Sequence, residues 1–144
     1  PLMNVADIQK LHAQMVKTKF ELGTLASNIT DQELYDNLNV VKVVTKESLD
    51  NSQFPEAINF TRKLNDKPKN IYKHLGIYCY KLKTLEKFVS FNQSVNEIKY
   101  KLEQLRALDN EIKINVAFAE SSPIGVDTKE DFVAIKKIME YKSK

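Results

Sequence analysis

Tyr72-Lys73-His74-Leu75-Gly76-Ile77-Tyr78-Cys79-Tyr80 is the clearest strand pattern in the chain. It alternates as a strand does, with Leu75, Ile77 and Cys79 to one side and Tyr72, His74, Gly76, Tyr78 and Tyr80 to the other. The first face is apolar. The second is aromatic and polar, around a glycine that is expected to leave space. One reading is a strand buried on both faces, with His74 hydrogen-bonded in a core. The other is a ligand-facing groove, with Gly76 opening room between His74 and Tyr78.

Before this strand, Val40-Val41-Lys42-Val43-Val44 is a β-branched strand and Ala57 to Thr61 is another. Polar, turn-rich loops follow each of them, Lys46 to Glu56 with Pro55, and Asn65 to Asn70 with Pro68. Leu22 to Ile29 reads as a further strand, and Thr30-Asp31 as a turn or helix start. Asn4 caps a helix through about Lys17, with Asp7 as the acid at its third position and Val5, Ile8, Leu11, His12, Met15 and Val16 as its stripe.

After the central strand, Leu82 to Phe91 is a basic amphipathic helix. Ser94 and Glu97 form a capping box for a helix predicted to run to about Leu108, with a stripe of Val95, Ile98, Leu102, Leu105 and Leu108. Lys113 to Ala119 alternates as a last strand. Thr128 caps a last helix, with Asp131 at its third position and Phe132, Ile135, Ile138 and Met139 predicted to face inward. Strands interspersed with helices indicate an α/β layer architecture with a mixed sheet.

A chain of 144 residues is expected to form one domain with a core of its own. Its 42% hydrophobic and 28% charged residues are those of an ordinary globular protein. The single Cys79 excludes an internal disulfide and fits a reducing compartment. With no apolar run near the length of a membrane span and no signal-peptide pattern, the expected location is the cytoplasm and no membrane partner is expected. The net charge of +3 makes no case for nucleic acid, and no aromatic–basic repeat of a nucleic-acid module is present. From Arg62 to Lys87, however, eight Lys or Arg face two acids, Asp66 and Glu86. That is either a solvated basic surface or a field that draws in anionic substrates.

Few residues suggest chemistry on their own. Asp127 lies in a Gly-Val-Asp-Thr turn ahead of the last helix, where a carboxylate also simply favours a helix N-terminus. Glu103 and Gln104 lie off the predicted stripe; they are an exposed polar pair or, because together they both accept and donate, a fit for a polyhydroxylated ligand. There is no supported Ser-His-Asp or Cys-His arrangement and no zinc spacing, and His12 reads as structural. With three glycines, Gly23, Gly76 and Gly125, there is no phosphate-cradling glycine loop.

Three segments in fixed order add a resemblance: Lys73 to Tyr80, then Lys101-Leu102-Glu103-Gln104-Leu105-Arg106, then Ile124-Gly125-Val126-Asp127-Thr128. From Pro1 to about Met139 the chain resembles the C-terminal half of the CMP-Kdo synthetases (3-deoxy-manno-octulosonate cytidylyltransferases). These transferases join an acidic sugar to CMP for lipopolysaccharide biosynthesis. The resemblance implies a Rossmann-like, mixed-sheet nucleotide-diphospho-sugar transferase fold, present as its C-terminal portion. It implies a single domain over residues 1–144 that binds sugar and forms a homodimer, the nucleotide-binding half being absent. By the same resemblance, Asp127 is catalytic and a ligand of Mg2+, while Arg62, His74, Tyr78, Glu103 and Gln104 bind the sugar. CTP and Kdo are the implied substrates, and the chain by itself is expected to lack activity. The connection from Arg62 to His74 is shorter than the family's, and Tyr100 stands where an acid is common. The alternatives are a CMP-sialic acid synthetase-like enzyme and a non-catalytic sugar-binding or assembly module.

Overall fold

A computed structural model describes residues 3–50, 53–64, 66, 68–123, 125–126 and 128–142, the last of these by its backbone only. The strand expected at Tyr72–Tyr80 is present as Ile71–Tyr80 and holds the centre of a five-stranded sheet. In chain order the strands are β1 (Leu22–Ser27), β2 (Lys42–Thr45), β3 (Ala57–Thr61), β4 (Ile71–Tyr80) and β5 (Ile114–Phe118). Across the sheet they run β3-β2-β4-β1-β5. Only the β1–β5 pair is parallel, so the sheet is mixed, as expected.

The two faces of β4 meet different helices. On one side Leu11 and Met15 of α1 (Val5–Lys17) pack with Leu25, Ala117 and Ala119, and Leu75, Ile77 and Cys79 join them. On the other side Phe88 of α3 (Leu82–Ser90) and Leu105 and Ala107 of α5 (Gln104–Asp109) cluster with Leu22, Val43, Phe60 and Tyr72. Tyr78 and Tyr80 pack against this second cluster. The alternation of the sequence is therefore that of the structure.

That alternation survives an irregularity. Thr24 pairs with Tyr78 and Ala26 with His74, so Leu75, Gly76 and Ile77 all lie opposite Leu25. A bulge of two extra residues is even, which leaves His74 and Tyr78 on one face. Gly76 takes φ +63° here, and a Cβ on it would meet nothing within 4 Å. The glycine is thus needed for its left-handed backbone. It does not open a space between His74 and Tyr78, as its position in the alternation suggested.

Other expectations need correction. The helix predicted from Ser94 to Leu108 is broken into α4 (Val95–Tyr100) and α5, although its capping box is present. Lys101 ends α4 in the left-handed conformation, φ 54°. The break turns Leu102 and Leu105 inward while Val95 and Ile98 stay exposed, so the stripe that one straight helix would present is split between two. The residue that α4 buries is Glu97.

In α1, Leu11 and Met15 are buried but Val5, Ile8, His12 and Val16 are exposed. Asn4 caps the helix through Ala6 N–H. Asp7 is turned away to accept from Glu120 N–H (3.2 Å), Ser121 N–H (3.3 Å) and the Ser121 hydroxyl, tying the helix to the segment after β5. The short α2 (Gln32–Asp36) is capped by Asp31. In α6 (Lys129–Lys142), Thr128 and Asp131 make the reciprocal cap, but Phe132 and Met139 are exposed and Ile135 alone of the predicted inward set is buried.

Candidate functional site

On the α5 face of β4 the aromatic side chains form a ladder. Phe60 of β3 meets the His74 ring edge-on at 5.0 Å, His74 meets Tyr78 at 5.5 Å, Tyr78 meets Tyr80 at 6.1 Å, and Tyr80 meets Phe88 at 5.8 Å. His74 is 8% exposed, and burial holds its imidazole down at about 4, so the ring is neutral near neutral pH. Burial raises the Tyr78 phenol, helped by Tyr80 and the Glu103 carboxylate, so it remains a hydrogen-bond donor. The Tyr80 phenol is raised by burial and then by Glu103. The carboxylate on α5 thus acts electrostatically on both tyrosines of the strand.

Glu103 and Gln104 stand at the start of α5, and they differ. Glu103 is exposed, whereas Gln104 is 7% exposed and its amide makes no hydrogen bond among the described residues. A brace fixes α5 against α4. Arg106 donates to both Glu97 oxygens, at 2.7 and 2.6 Å, and lies over the Phe88 ring at 4.8 Å. The Arg106 hydrogen bond pulls the Glu97 carboxyl down to about 2, against a smaller opposing effect of burial.

Arg62 follows the edge strand β3, separated from β4 by β2. Its guanidinium donates to the carbonyls of Leu38 (3.2 Å) and Asn39 (3.3 Å). Its own carbonyl accepts from Lys42 Nζ at 2.8 Å. The Lys42 ammonium, fully buried, also reaches the Asn37 carbonyl at 2.6 Å. Arg62 is thus held near the sheet edge, and no contact joins it to the ladder among the described residues.

Asp127 lies outside the described residues. Among those described, no group of three or more His, Cys, Asp or Glu side chains could hold a metal ion. Two open clefts flank the sheet. One of about 750 Å³ lies beside β3, between Phe60, Thr61, Lys63, Tyr100 and Leu105. The other, about 540 Å³, is bounded by Asn28, Asp31, Tyr35, Lys69 and Tyr72. Neither is lined by His74, Tyr78, Glu103 or Gln104.

The sequence profile of the cytidylyltransferase family matches residues 1–114. The chain belongs to the cytidylyltransferase family. Among curated relatives, the 3-deoxy-manno-octulosonate cytidylyltransferase of Bartonella tribocorum is 40% identical over 83% of this chain and 49% of its own length. That of Paramagnetospirillum magneticum is 37% identical over 91% of this chain and 53% of its own. A solved structure of CMP:2-keto-3-deoxy-manno-octonic acid synthetase complexed with CTP superposes with a TM-score of 0.83 at 26% identity. It covers 99% of this chain and 58% of that one, so the α/β nucleotidyltransferase fold is shared. This cytidylyltransferase chain spans about half the length of the curated relatives it matches.

Four residues of this face escaped sequence reasoning as parts of a site. Thr24 bonds His74, Phe60 packs on it, and Glu97 and Arg106 brace α5. Arg106 stands in the same short motif as Glu103 and Gln104, where its charge alone does not mark it as a brace. Glu97 was read only as a capping residue, and its position nine residues before Arg106 gives no helical-pair signal.

Proposed function

We propose that this chain is the sugar-binding part of a CMP-Kdo synthetase, which activates 3-deoxy-manno-octulosonate with CTP and releases pyrophosphate, for lipopolysaccharide biosynthesis in the cytoplasm. One observation carries the reading. A buried, neutral His74 and a protonated Tyr78 share a strand face that also feels the charge of Glu103, the neighbour of Gln104 at the start of α5. Donors and acceptors mixed with aromatic rings suit a polyhydroxylated sugar. The names of the relatives agree with this ligand.

In this reading Gln104 and Glu103 bracket the sugar hydroxyls, Tyr78 donates and His74 accepts. Arg62, with donors beyond the two it gives to carbonyls, takes the sugar carboxylate. CTP would bind mainly through sequence outside this half, and the 144-residue chain alone would not complete the reaction. Magnesium is the expected cofactor, with Asp127 as one ligand. A homodimer is part of the proposal, and light scattering tests it. The alternative reading is a non-catalytic sugar-binding module.

The test is pyrophosphate release from CTP and Kdo with magnesium. The 144-residue chain should give none, and an intact enzyme carrying this half should turn over. In that intact enzyme Asp127→Asn should lower turnover by about two to three decades, the effect of losing about 3–4 kcal/mol at the transition state. Near-normal turnover would make Asp127 a helix-entry residue only. An inactive intact protein that still binds Kdo would favour the module.

A further inference from the structure

We propose that Thr24 is a positioning residue that holds His74 as the neutral tautomer protonated on Nε2, so that Nδ1 accepts a hydroxyl of the sugar. The sugar half of this statement rests on the function proposed above; the tautomer half stands on geometry alone. Thr24 is fully buried, and its hydroxyl lies 2.6 Å from the Ile77 carbonyl oxygen and 2.9 Å from His74 Nε2. A carbonyl can only accept, and a threonine hydroxyl has one proton to give. That proton goes to Ile77. The contact with Nε2 is therefore an N–H donating to the hydroxyl oxygen, and the neutral ring keeps its lone pair on Nδ1.

The bulge is part of this device. Ile77 lies within the irregular stretch created by Gly76, where the β1–β4 pairing skips from Thr24–Tyr78 to Ala26–His74. Its carbonyl is turned to a side chain of the neighbouring strand. Phe60 at 5.0 Å and Tyr78 at 5.5 Å fix the ring plane. Among the described residues nothing donates to Nδ1. Burial keeps the ring uncharged near neutral pH, in agreement. A lone pair in this position takes a hydroxyl and repels a carboxylate, so the sugar must lie with its acid group away from His74. The sign of that contact sets the orientation of the sugar.

Nitrogen-15 NMR of the histidine rings tests the proposal in the 144-residue chain, whose two histidines are His74 and the exposed His12. At pH 7 the His74 ring should show a pyrrole-type Nε2 and a pyridine-type Nδ1. Thr24→Ser keeps the hydroxyl and should keep that pattern. Thr24→Val should lose it for a mixed or Nδ1–H ring and weaken Kdo binding about tenfold, as for one lost hydrogen bond. An Nδ1–H ring in the unaltered protein would overturn the proposal, as would an unchanged Nε2–H pattern in Thr24→Val. If Thr24→Val does not fold, the unaltered protein and Thr24→Ser decide it by the same pattern. Failure of all folded variants to bind Kdo would instead count against the proposed function, because the tautomer is read without sugar.

Discussion

The two faces of β4 share one backbone and obey different rules. Toward α1, Leu75, Ile77 and Cys79 join Leu11, Met15 and Leu25 in a close-packed apolar cluster. Toward α5, His74, Tyr78 and Tyr80 bring polar atoms into a half-buried layer that meets the Thr24 hydroxyl and feels the Glu103 charge. The first face is specified by volume. The second is specified by hydrogen bonds and protonation, which a fold alone does not require. Even the glycines divide this way. A Cβ on Gly23 would come within 2.8 Å of Met15 Sδ and 2.9 Å of Leu11 Cδ1, while one on Gly76 meets only open space.

The largest expected effect is on the α1 face. Leu25→Ala should cost about 2–5 kcal/mol in urea unfolding, because it leaves a cavity in a fully buried cluster. At a temperature where the variant stays folded, its affinity for Kdo should be unchanged. A loss of sugar binding with intact folding would break the division between the faces.

Next in size is a pH effect that belongs to the α5 face. The folded pKa of His74, about 4, is below its ordinary 6.5, so the unfolded chain takes up the proton first. Stability should be full above about pH 6.5 and fall by about 3 kcal/mol as pH drops toward 4. Glu97, held at about 2, adds a loss of the same sign below about 4.5. Unfolding midpoints from pH 8 to 4 check this, and His74→Asn should flatten the upper part of the curve. An unaltered protein with level stability from pH 7 to 5 would contradict a buried neutral His74.

The glycines give smaller effects with different remedies. Gly23→Ala should cost about 1–3 kcal/mol through overpacking. Adding Met15→Ala should recover part of it, since the two sites touch and couple. Gly76→Ala should cost about 1–2 kcal/mol through its left-handed backbone, and no trimming of neighbours should recover it. Thermal melts of the single and double variants separate the two cases.

What the sequence could reveal follows the same division. The period-two pattern of β4 was legible because its bulge is even and parity survives. The boundaries of β3 agree to the residue because loops with Pro55 and Pro68 bracket it. The break between α4 and α5 was hidden, since Lys101 takes a left-handed conformation that lysine does not signal. Gln104 was placed at a possible site, but its burial beside an exposed Glu103 depends on that break. The bond from Thr24 to His74 spans 50 residues, and no local pattern announces it. Arg62 is singled out by the family resemblance alone, and the carbonyls that hold it come from a loop no spacing connects to it.

If the α5 face of β4 is the sugar-binding surface, calorimetric titration of Kdo should show it. Kdo should bind the unaltered chain and Leu75→Ala with similar affinity. His74→Ala and Gln104→Ala should each weaken binding about tenfold or more, as expected for a lost hydrogen bond in a shielded site. Equal affinity in all four proteins, or weakening in Leu75→Ala alone, would contradict the account.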